Sequence, residues 1–101
     1  MFGMRFEFDP EKSARNERMR GLPFGSAGKL FDGDRLEWED RRTDYGEIRI
    51  NALGEIEGRV FCASFTRRGN AIRIISFRKA NRRETQRYRE YLRDRGSRHK
   101  G

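Results

Sequence analysis

The spacing of hydrophobic residues predicts helices at both ends of the chain and strands between them. Asp9 and Pro10 predict the start of a first helix, because an Asp side chain caps the first turn and proline fits the first helical position. This helix follows a short apolar start that includes Met4, and it is expected to end at Gly21. A second, shorter helix is predicted after Pro23 from apolar side chains that recur every three or four positions: Phe24, Ala27, Leu30 and Phe31.

From Leu36 onward, apolar residues alternate with polar ones, which is the spacing of strands. Four strands in an antiparallel meander are predicted, and the third is apolar on both faces, as a central strand should be. The predicted strands cover residues 36–40, 47–53, 59–66 and 71–78. A loop at 54–58 and a hairpin turn at 67–70 are expected to join the last three.

A last helix is predicted after the strands, because Asn81 and Glu84 have the spacing of a capping box. Its apolar stripe is expected to pack on the sheet rather than stack on RNA bases, and it consists of Thr85, Tyr88, Tyr91 and Leu92. Residues 1–93 are predicted to form one domain and residues 94–101 a flexible basic tail. The predicted class is α+β, with two N-terminal helices, a four-stranded, mainly antiparallel sheet and a C-terminal helix.

A chain of 101 residues, of which 34% are hydrophobic, has room for one domain with a modest core. No apolar run reaches the ~18 to 20 residues that would span a bilayer, and the first residues lack the apolar core of a secretory signal. The expected location is therefore the cytoplasm. Cys62 is the single cysteine, so an internal disulfide is excluded, and it is expected to be a core thiol.

The net charge of +8 is concentrated near the C-terminus. Residues 1–77 contain 14 basic and 13 acidic side chains, whereas residues 78–101 contain 10 basic and 3 acidic ones. Residues 32–47 form an acidic segment with seven carboxylates and three arginines. Arginine outnumbers lysine, which suits bidentate contacts with phosphate. A nucleic acid is therefore the first partner expected, and an acidic protein segment is the second.

The sequence lacks the common motifs of catalysis and cofactor binding. It contains no phosphate-binding loop, no dinucleotide fingerprint and no nucleophile elbow. The one histidine, His99, lies two residues from the end and is expected to be a solvated bystander. The carboxylates of residues 32–47 are interpreted as a solvated edge rather than a magnesium site. No metal ion and no cofactor are therefore expected.

Arginine and small polar residues gather at the end of the last predicted strand. Ser76 and Arg78 share one face of that strand, whereas Arg73 points to the other face unless a bulge shifts the register. If Arg49 and Glu47 of a neighbouring strand join the same face, the sheet presents a cleft with several fixed arginines.

Such a cleft could cleave RNA by using the 2′-hydroxyl of the substrate as the nucleophile, because fixed cations orient the phosphate and stabilise its charge. Glu47 and an arginine-polarised Ser76 are the candidates for the general base. The alternative interpretation is a solvated basic edge without catalysis.

Several segments resemble the BrnT family of type II toxins, which has a RelE-like ribonuclease fold. The similar segments are FEFDPEKSARN at 6–16, the P-F to L-F segment at 23–31, EIR at 47–49 and IRIISFRKANRRETQRY at 72–88. The resemblance runs from about Met4 to Arg93. It implies a metal-independent endoribonuclease that arrests growth by cutting cellular RNA.

The resemblance also implies a partner and a set of functional residues. The partner is a BrnA-like antitoxin of ribbon-helix-helix type, in a complex with two copies of each chain, and only the antitoxin contacts operator DNA. The implied active-site residues are Arg49, Arg73, Ser76 and Arg78, with Glu47 beside them. The RNA contacts are Lys79, Arg82 and Arg83, to which the basic hairpin adds Arg67 and Arg68. The competing prediction is a noncatalytic RNA- or DNA-binding module or an inactive relative of the toxins.

Overall fold

The structure is a computed structural model that describes residues 5–42, 44 and 46–100. Met4 of the apolar start, Gly101 of the predicted tail and the side chain of His99 lie outside the described residues. The elements in chain order are β1 (Arg5–Phe8), α1 (Pro10–Arg20), a 3₁₀ helix (Phe24–Asp32), β2 (Arg35–Asp40), β3 (Arg49–Ile56), β4 (Arg59–Arg68), β5 (Ala71–Lys79) and α2 (Arg82–Lys100).

Five strands form one sheet in the order β1-β5-β4-β3-β2. Strands β2 to β5 are an antiparallel meander, and β1 pairs in parallel with β5 at one edge. The predicted α+β class is confirmed, but the predicted four-stranded sheet is wrong. The sequence reasoning missed β1 because a four-residue segment is too short for a periodic pattern, and its partner strand lies far away in the sequence. Phe6 and Phe8 pack against the core.

The first helix and its caps are confirmed. The Asp9 Oδ1 atom accepts a hydrogen bond of 2.9 Å from the backbone N–H of Glu11, and Gly21 ends the helix with φ 72°. Asn16 then fixes the helix to the sheet, because its Nδ2 donates to the carbonyl oxygens of Leu22 at 2.7 Å and of Phe77 at 2.8 Å. The second predicted helix is present, but it has 3₁₀ geometry.

The predicted loop at 54–58 is wrong, because β3 continues through Ile56. Only Glu57 and Gly58 form the turn, with φ values of 51° and 82°, which is the geometry of a tight two-residue hairpin. Gly54 lies inside the strand rather than in a loop. Leu30 packs so closely over its Cα that a side chain at this position would collide with it. Gly54 is therefore explained by the close approach of Leu30 to the strand, and not by a turn.

Helices cover both faces of the sheet. The 3₁₀ helix contributes Phe24, Ala27 and Leu30 to the larger core, where they pack on one face of the sheet. Helix α2 covers one end of the other face, above a smaller core cluster of Leu53, Val60, Cys62, Ala80 and Tyr88. Cys62 is buried, as predicted. The rest of that second face has no helix over it in the described part of the chain.

The capping box of α2 is confirmed by two reciprocal hydrogen bonds. The Asn81 N–H donates to Glu84 Oε1 at 2.9 Å, and the Glu84 N–H donates to Asn81 Oδ1 at 2.8 Å. The helix continues through Lys100 instead of ending near Arg93, and Arg95 forms an ion pair of 2.8 Å with Asp34 in this extension. The flexibility of residues 94–101 stays a prediction. No helix in the described ranges has the length and apolarity that a membrane crossing requires.

Candidate active site

A β-bulge in β5 decides which side chains share the uncovered face of the sheet. Ser76 pairs with Ser64, but Ile74 pairs with Phe65, so Ile75 is an extra residue without a partner on β4. Consequently Ile74 and Phe77, which are three residues apart, both lie in the larger core.

The same bulge brings Arg73 to the face that carries Ser76 and Arg78. Arg73 pairs with Thr66, which is on the same side of β4 as Ser64 and opposite the larger core. Strand parity alone had left Arg73 on the opposite face unless a bulge intervened. The structure therefore brings these three residues of the predicted site to one side of the sheet.

The uncovered face forms a cleft of about 600 Å³ beside the first turns of α2. We call it the sheet cleft, and it is lined by Trp38, Glu39, Asp40, Arg41, Arg42, Asn51, Cys62, Ser64, Ser76, Arg78 and Glu84. Its volume is within the range of ~300 to 1,000 Å³ that is usual for small-ligand sites. Ser76 and Arg78 are the members of the predicted catalytic group that line it.

A row of polar side chains crosses the floor of the sheet cleft. Asn51 on β3, Ser64 on β4 and Ser76 on β5 are consecutive partners in the strand register. The Ser64 hydroxyl donates to Asn51 Oδ1 at 2.6 Å, so these two side chains hold each other in place. Ser76 is exposed to solvent. A ligand in the cleft therefore meets hydrogen-bonding groups at the level of the strands.

Arg78 is fixed at the side of the cleft by a bidentate ion pair with Glu84. Its Nη1 donates to Glu84 Oε1 at 2.8 Å, and its Nη2 donates to Oε2 at 2.9 Å. This hydrogen bonding raises the pKa of Arg78 and, together with the N–H of Asn81, lowers the pKa of Glu84 against the opposing effect of burial. Both groups are therefore charged at neutral pH.

The other lining arginines also face carboxylates. Arg42 Nη2 lies 2.7 Å from Asp40 Oδ2, and Arg41 Nη2 lies 3.3 Å from Glu39 Oε1. The lining thus contains three arginines and three carboxylates, and the cleft is less cationic than the sequence indicates. Within the described ranges, no three His, Cys, Asp or Glu side chains cluster in the way that metal ligands would.

Cys62 lines the cleft but is not a nucleophile at neutral pH. Burial raises the pKa of its thiol above the ordinary value, and the positive charge of Arg78 on the paired strand position offsets this only in part. The thiol therefore stays protonated and serves the smaller core cluster.

The remaining residues of the predicted catalytic group are outside the lining of the cleft. Arg49 is half-buried at the start of β3, two residues before Asn51 and on the same face of the sheet. Arg73 faces Glu7 of the edge strand, with 4.0 Å between Nη1 and Oε1. Glu47 precedes β3, and its carboxylate lies 3.5 Å from Nη2 of Arg68. Glu47 is thus engaged by a basic residue outside the cleft.

The predicted RNA contacts are divided between the two faces of the sheet. Lys79 pairs with Phe61 and shares the side of Phe77, and Arg67 lies with its Cζ 5.3 Å from the ring centre of Phe65. Both therefore lie on the face opposite the sheet cleft. Arg82 and Arg83 are exposed on the first turn of α2, and Arg68 pairs with Glu47, as described above.

Sequence reasoning missed several contributions to the cleft, and Trp38 and Glu84 are two of them. Trp38 forms part of its wall, although it was considered only as one position of an alternating strand. Glu84 was identified as a helix cap, but not as the partner of Arg78. The periodic pattern identifies the strand of Trp38 but not the neighbour of its ring, which is set by how α2 crosses the sheet.

The ion pair of Glu84 predicts a pH-dependent stability. A Glu84→Gln variant is expected to have a free energy of unfolding about 1–2 kcal/mol lower than the wild type at pH 7. The folded state has a lowered Glu84 pKa. The contribution is therefore complete above the ordinary value of about 4.3 and is lost as the pH falls through the folded value.

Denaturant unfolding at pH 7 and pH 3 measures this effect, and the difference between variant and wild type should shrink at pH 3. Glu90→Gln on the exposed side of α2 is the matched control and should have no effect at either pH. A difference that stays constant between the two pH values would contradict the role of the Glu84 charge.

Comparison with protein families agrees with the motifs in the sequence. The family model of the ribonuclease toxin BrnT of type II toxin-antitoxin systems matches residues 8–84, which is more than half of the chain. No curated protein matches the chain. The matched segment contains α1, the whole meander and the carboxylate that holds Arg78. The chain therefore belongs to the BrnT family of ribonuclease toxins of type II toxin-antitoxin systems.

Proposed function

We propose that this chain is an endoribonuclease that needs no metal ion and arrests growth by cutting cellular RNA. The observation that carries the proposal is the position of Arg78, which Glu84 fixes inside a cleft that also contains the exposed Ser76. A fixed cation in such a place stabilises the negative charge that develops on a phosphate during cleavage. The family supplies the class of activity, and Arg78 supplies the group that this chain would use.

Arg78 has donors left for a phosphate after it has bound Glu84. A guanidinium carries five N–H groups. Nη1 donates to Glu84 Oε1 and to the carbonyl oxygen of Lys79, and Nη2 donates to Oε2. Among the described residues, the Nε–H and the second Nη2–H take no partner, and both lie on one edge of the planar group. This edge matches two phosphate oxygens, so Arg78 can hold Glu84 and a phosphate together.

In the proposed reaction the RNA supplies its own nucleophile. The 2′ oxygen forms a bond to phosphorus while the bond from phosphorus to the 5′ oxygen breaks, which leaves a 2′,3′-cyclic phosphate and a 5′-hydroxyl. One proton leaves the 2′-hydroxyl and one arrives at the 5′ oxygen. Of the two candidates for contact with the 2′-hydroxyl, Ser76 lines the cleft and Glu47 does not. We therefore assign Ser76 the orientation of this hydroxyl beside Arg78.

The first turns of α2 offer a path for the RNA backbone. Arg83 and Arg87 are exposed and four residues apart, so they share one side of the helix, next to Glu84 at the cleft. Arg82 lies beside them on the first turn. Lys79 and Arg67 lie on the opposite face of the sheet, which makes them less suitable contacts for RNA that occupies the cleft.

The type of antitoxin and the composition of its complex with this chain are also part of the proposal. Membership of a type II family implies an antitoxin. We propose that it is a ribbon-helix-helix protein, that the complex holds two copies of each chain in the cytoplasm, and that operator DNA contacts only the antitoxin. These details rest on the motifs in the sequence, and mass measurement of the purified complex tests the stoichiometry.

One observation favours a noncatalytic function as the second candidate. Each of the three arginines that line the cleft faces a carboxylate, which weakens its attraction for phosphate. An inactive relative that only binds nucleic acid would have such a balanced lining. Binding of this kind is sensitive to salt, because phosphate contacts release counterions, and it yields no cleavage products.

The test of the proposed function is an RNA cleavage assay with the purified chain in EDTA. We expect fragments that end in 2′,3′-cyclic phosphates and start with 5′-hydroxyls. We also expect that expression of the chain alone stops growth and that expression with its antitoxin restores it. Salt-sensitive binding without new fragments would contradict the proposed cleavage and support the second candidate.

A further inference from the structure

One wall of the sheet cleft is aromatic. Trp38 on the edge strand β2 lines the cleft and is half-buried, so part of its ring is accessible. The guanidinium carbon of Arg87 lies 4.6 Å from the centre of this ring. The guanidinium of Arg87 thus lies over the indole ring at the distance of a cation–π contact. The cleft therefore has a flat, apolar surface beside its charged groups.

Trp38 is the aromatic side chain that lines this cleft in the described part of the chain. Tyr88, which the sequence offered as a possible base-stacking residue, is buried, and its hydroxyl donates to the carbonyl oxygen of Asp34 at 3.2 Å. Phe31 and Phe65 also have arginines over their rings, but they pack with the larger core on the opposite face. Trp38 differs from these rings because it is accessible from the cleft.

Trp38 extends the polar row on the floor of the cleft. It pairs with Asn51 in the strand register, and the row continues through Ser64 to Ser76. Three strand spacings separate its two ends, which is about 14 Å. A short RNA segment lying across the strands therefore has an aromatic surface at one end and Ser76 with Arg78 at the other.

Asn51 lies between these two ends with its amide in a fixed orientation. Its Oδ1 accepts the hydrogen bond from Ser64, so the Nδ2 group points to the other side of the amide. In the described part of the chain, Nδ2 has no hydrogen-bond partner. An amide N–H₂ donates to a carbonyl oxygen or a ring nitrogen on the edge of a base.

We propose that Trp38, with Arg87 over its ring, is a stacking surface for an RNA base next to the cleaved phosphate, and that Asn51 donates a hydrogen bond to an acceptor on the edge of this base. This inference rests on the proposed function, because it names the part of the same RNA substrate that the cleft binds. It makes Trp38 and Asn51 determinants of which position in an RNA is cut, separate from the charge on Arg78.

The test uses the fluorescence of Trp38, which is the single tryptophan of the chain. The wild-type chain is titrated with a short oligonucleotide whose 2′-hydroxyls are replaced by 2′-O-methyl groups, so that cleavage cannot occur. We expect saturable quenching of the fluorescence, because a stacked base quenches an indole. A series of oligonucleotides, each lacking the base at one position, is then compared. Quenching should be lost for the oligonucleotide that lacks the stacked base and kept for the others.

Substitutions give a second, independent measurement by fluorescence polarisation of a labelled oligonucleotide. Trp38→Leu is expected to weaken binding by about 5- to 150-fold, and Trp38→Phe should retain part of the affinity. Tyr91→Leu is the matched control, because Tyr91 also has an arginine, Arg95, over its ring but does not line the cleft. This control is expected to bind like the wild type.

The outcomes separate this inference from the proposed function. Quenching by the oligonucleotide in the Arg78→Lys variant, whose cleavage of RNA is expected to be much slower, would support the stacking surface. Absence of quenching in the wild type, or wild-type affinity of Trp38→Leu, would overturn the inference even if RNA is cleaved normally. Quenching without cleavage by the wild type would support the stacking surface and contradict the proposed function.

Discussion

An Arg78→Lys variant is expected to cleave RNA about 100- to 1,000-fold more slowly than the wild type. Lysine keeps the positive charge, but its ammonium group is compact and lacks two separate donor edges. Glu84, at 2.8 Å from Nη1 of Arg78, would engage that ammonium and leave no second edge for the phosphate. Arginine at this position binds the carboxylate with one edge and offers the other to the substrate.

The rate of appearance of cyclic-phosphate ends measures this effect, and survival of cells that express the variant provides a second readout. Arg89→Lys is the matched control, because Arg89 also forms a short ion pair, at 2.6 Å to Glu55, but lies outside the cleft. It is expected to cleave at the wild-type rate. A wild-type rate for Arg78→Lys, with a normal melting temperature, would show that the site is assigned to the wrong residue.

A Phe65→Ala variant is expected to have a free energy of unfolding about 3–5 kcal/mol lower than the wild type. Phe65 has no exposed surface, and its ring lies edge-on to Phe31 with 5.1 Å between the centres. Removing the ring leaves a cavity in the larger core that the neighbouring side chains fill only in part. Since a domain of this size typically has about 5–15 kcal/mol of stability, the variant should be close to unfolding.

Urea denaturation followed by circular dichroism measures this loss. Ile48→Ala is the control, because Ile48 is 63% exposed and its substitution removes little buried surface. The control is expected to stay within about 0.5 kcal/mol of the wild type. A loss for Phe65→Ala that is no larger than that of the control would contradict the central position of Phe65 in the core.

The local signals in the sequence were sufficient for most of the elements. Asp9 and Gly21 specify the ends of α1 because their effects act within one turn of the helix. Asn81 and Glu84 specify the start of α2 for the same reason. Long strands also show their periodicity directly. At these helix ends the cause lies within a few residues, and the prediction held.

Features that depend on a distant partner were not predictable in the same way. The extra residue at Ile75 is defined only by the register between β4 and β5, so the sequence could not place Arg73 on one face. The edge strand β1 exists because β5 offers a free edge far along the chain. Likewise, the contact of Trp38 with Arg87 depends on how α2 crosses the sheet.

The sequence pointed to only part of the lining of the sheet cleft. The motif pointed to Ser76 and Arg78, and both line the cleft. It also pointed to Glu47, whose carboxylate instead pairs with Arg68 beyond the start of β3. Side chains at strand ends are directed by the adjoining loop as well as by strand parity. For this reason parity was reliable for Ser76 and Arg78, which follow the bulge in β5, and unreliable at Glu47.

The carboxylate of Glu84 belongs to two structures at once, because it closes the first turn of α2 and holds the guanidinium of Arg78. Formation of the first turn of α2 and the orientation of Arg78 are therefore coupled through this carboxylate. A partner protein that unwinds this turn would therefore also release Arg78 from its carboxylate, without having to contact the arginine itself.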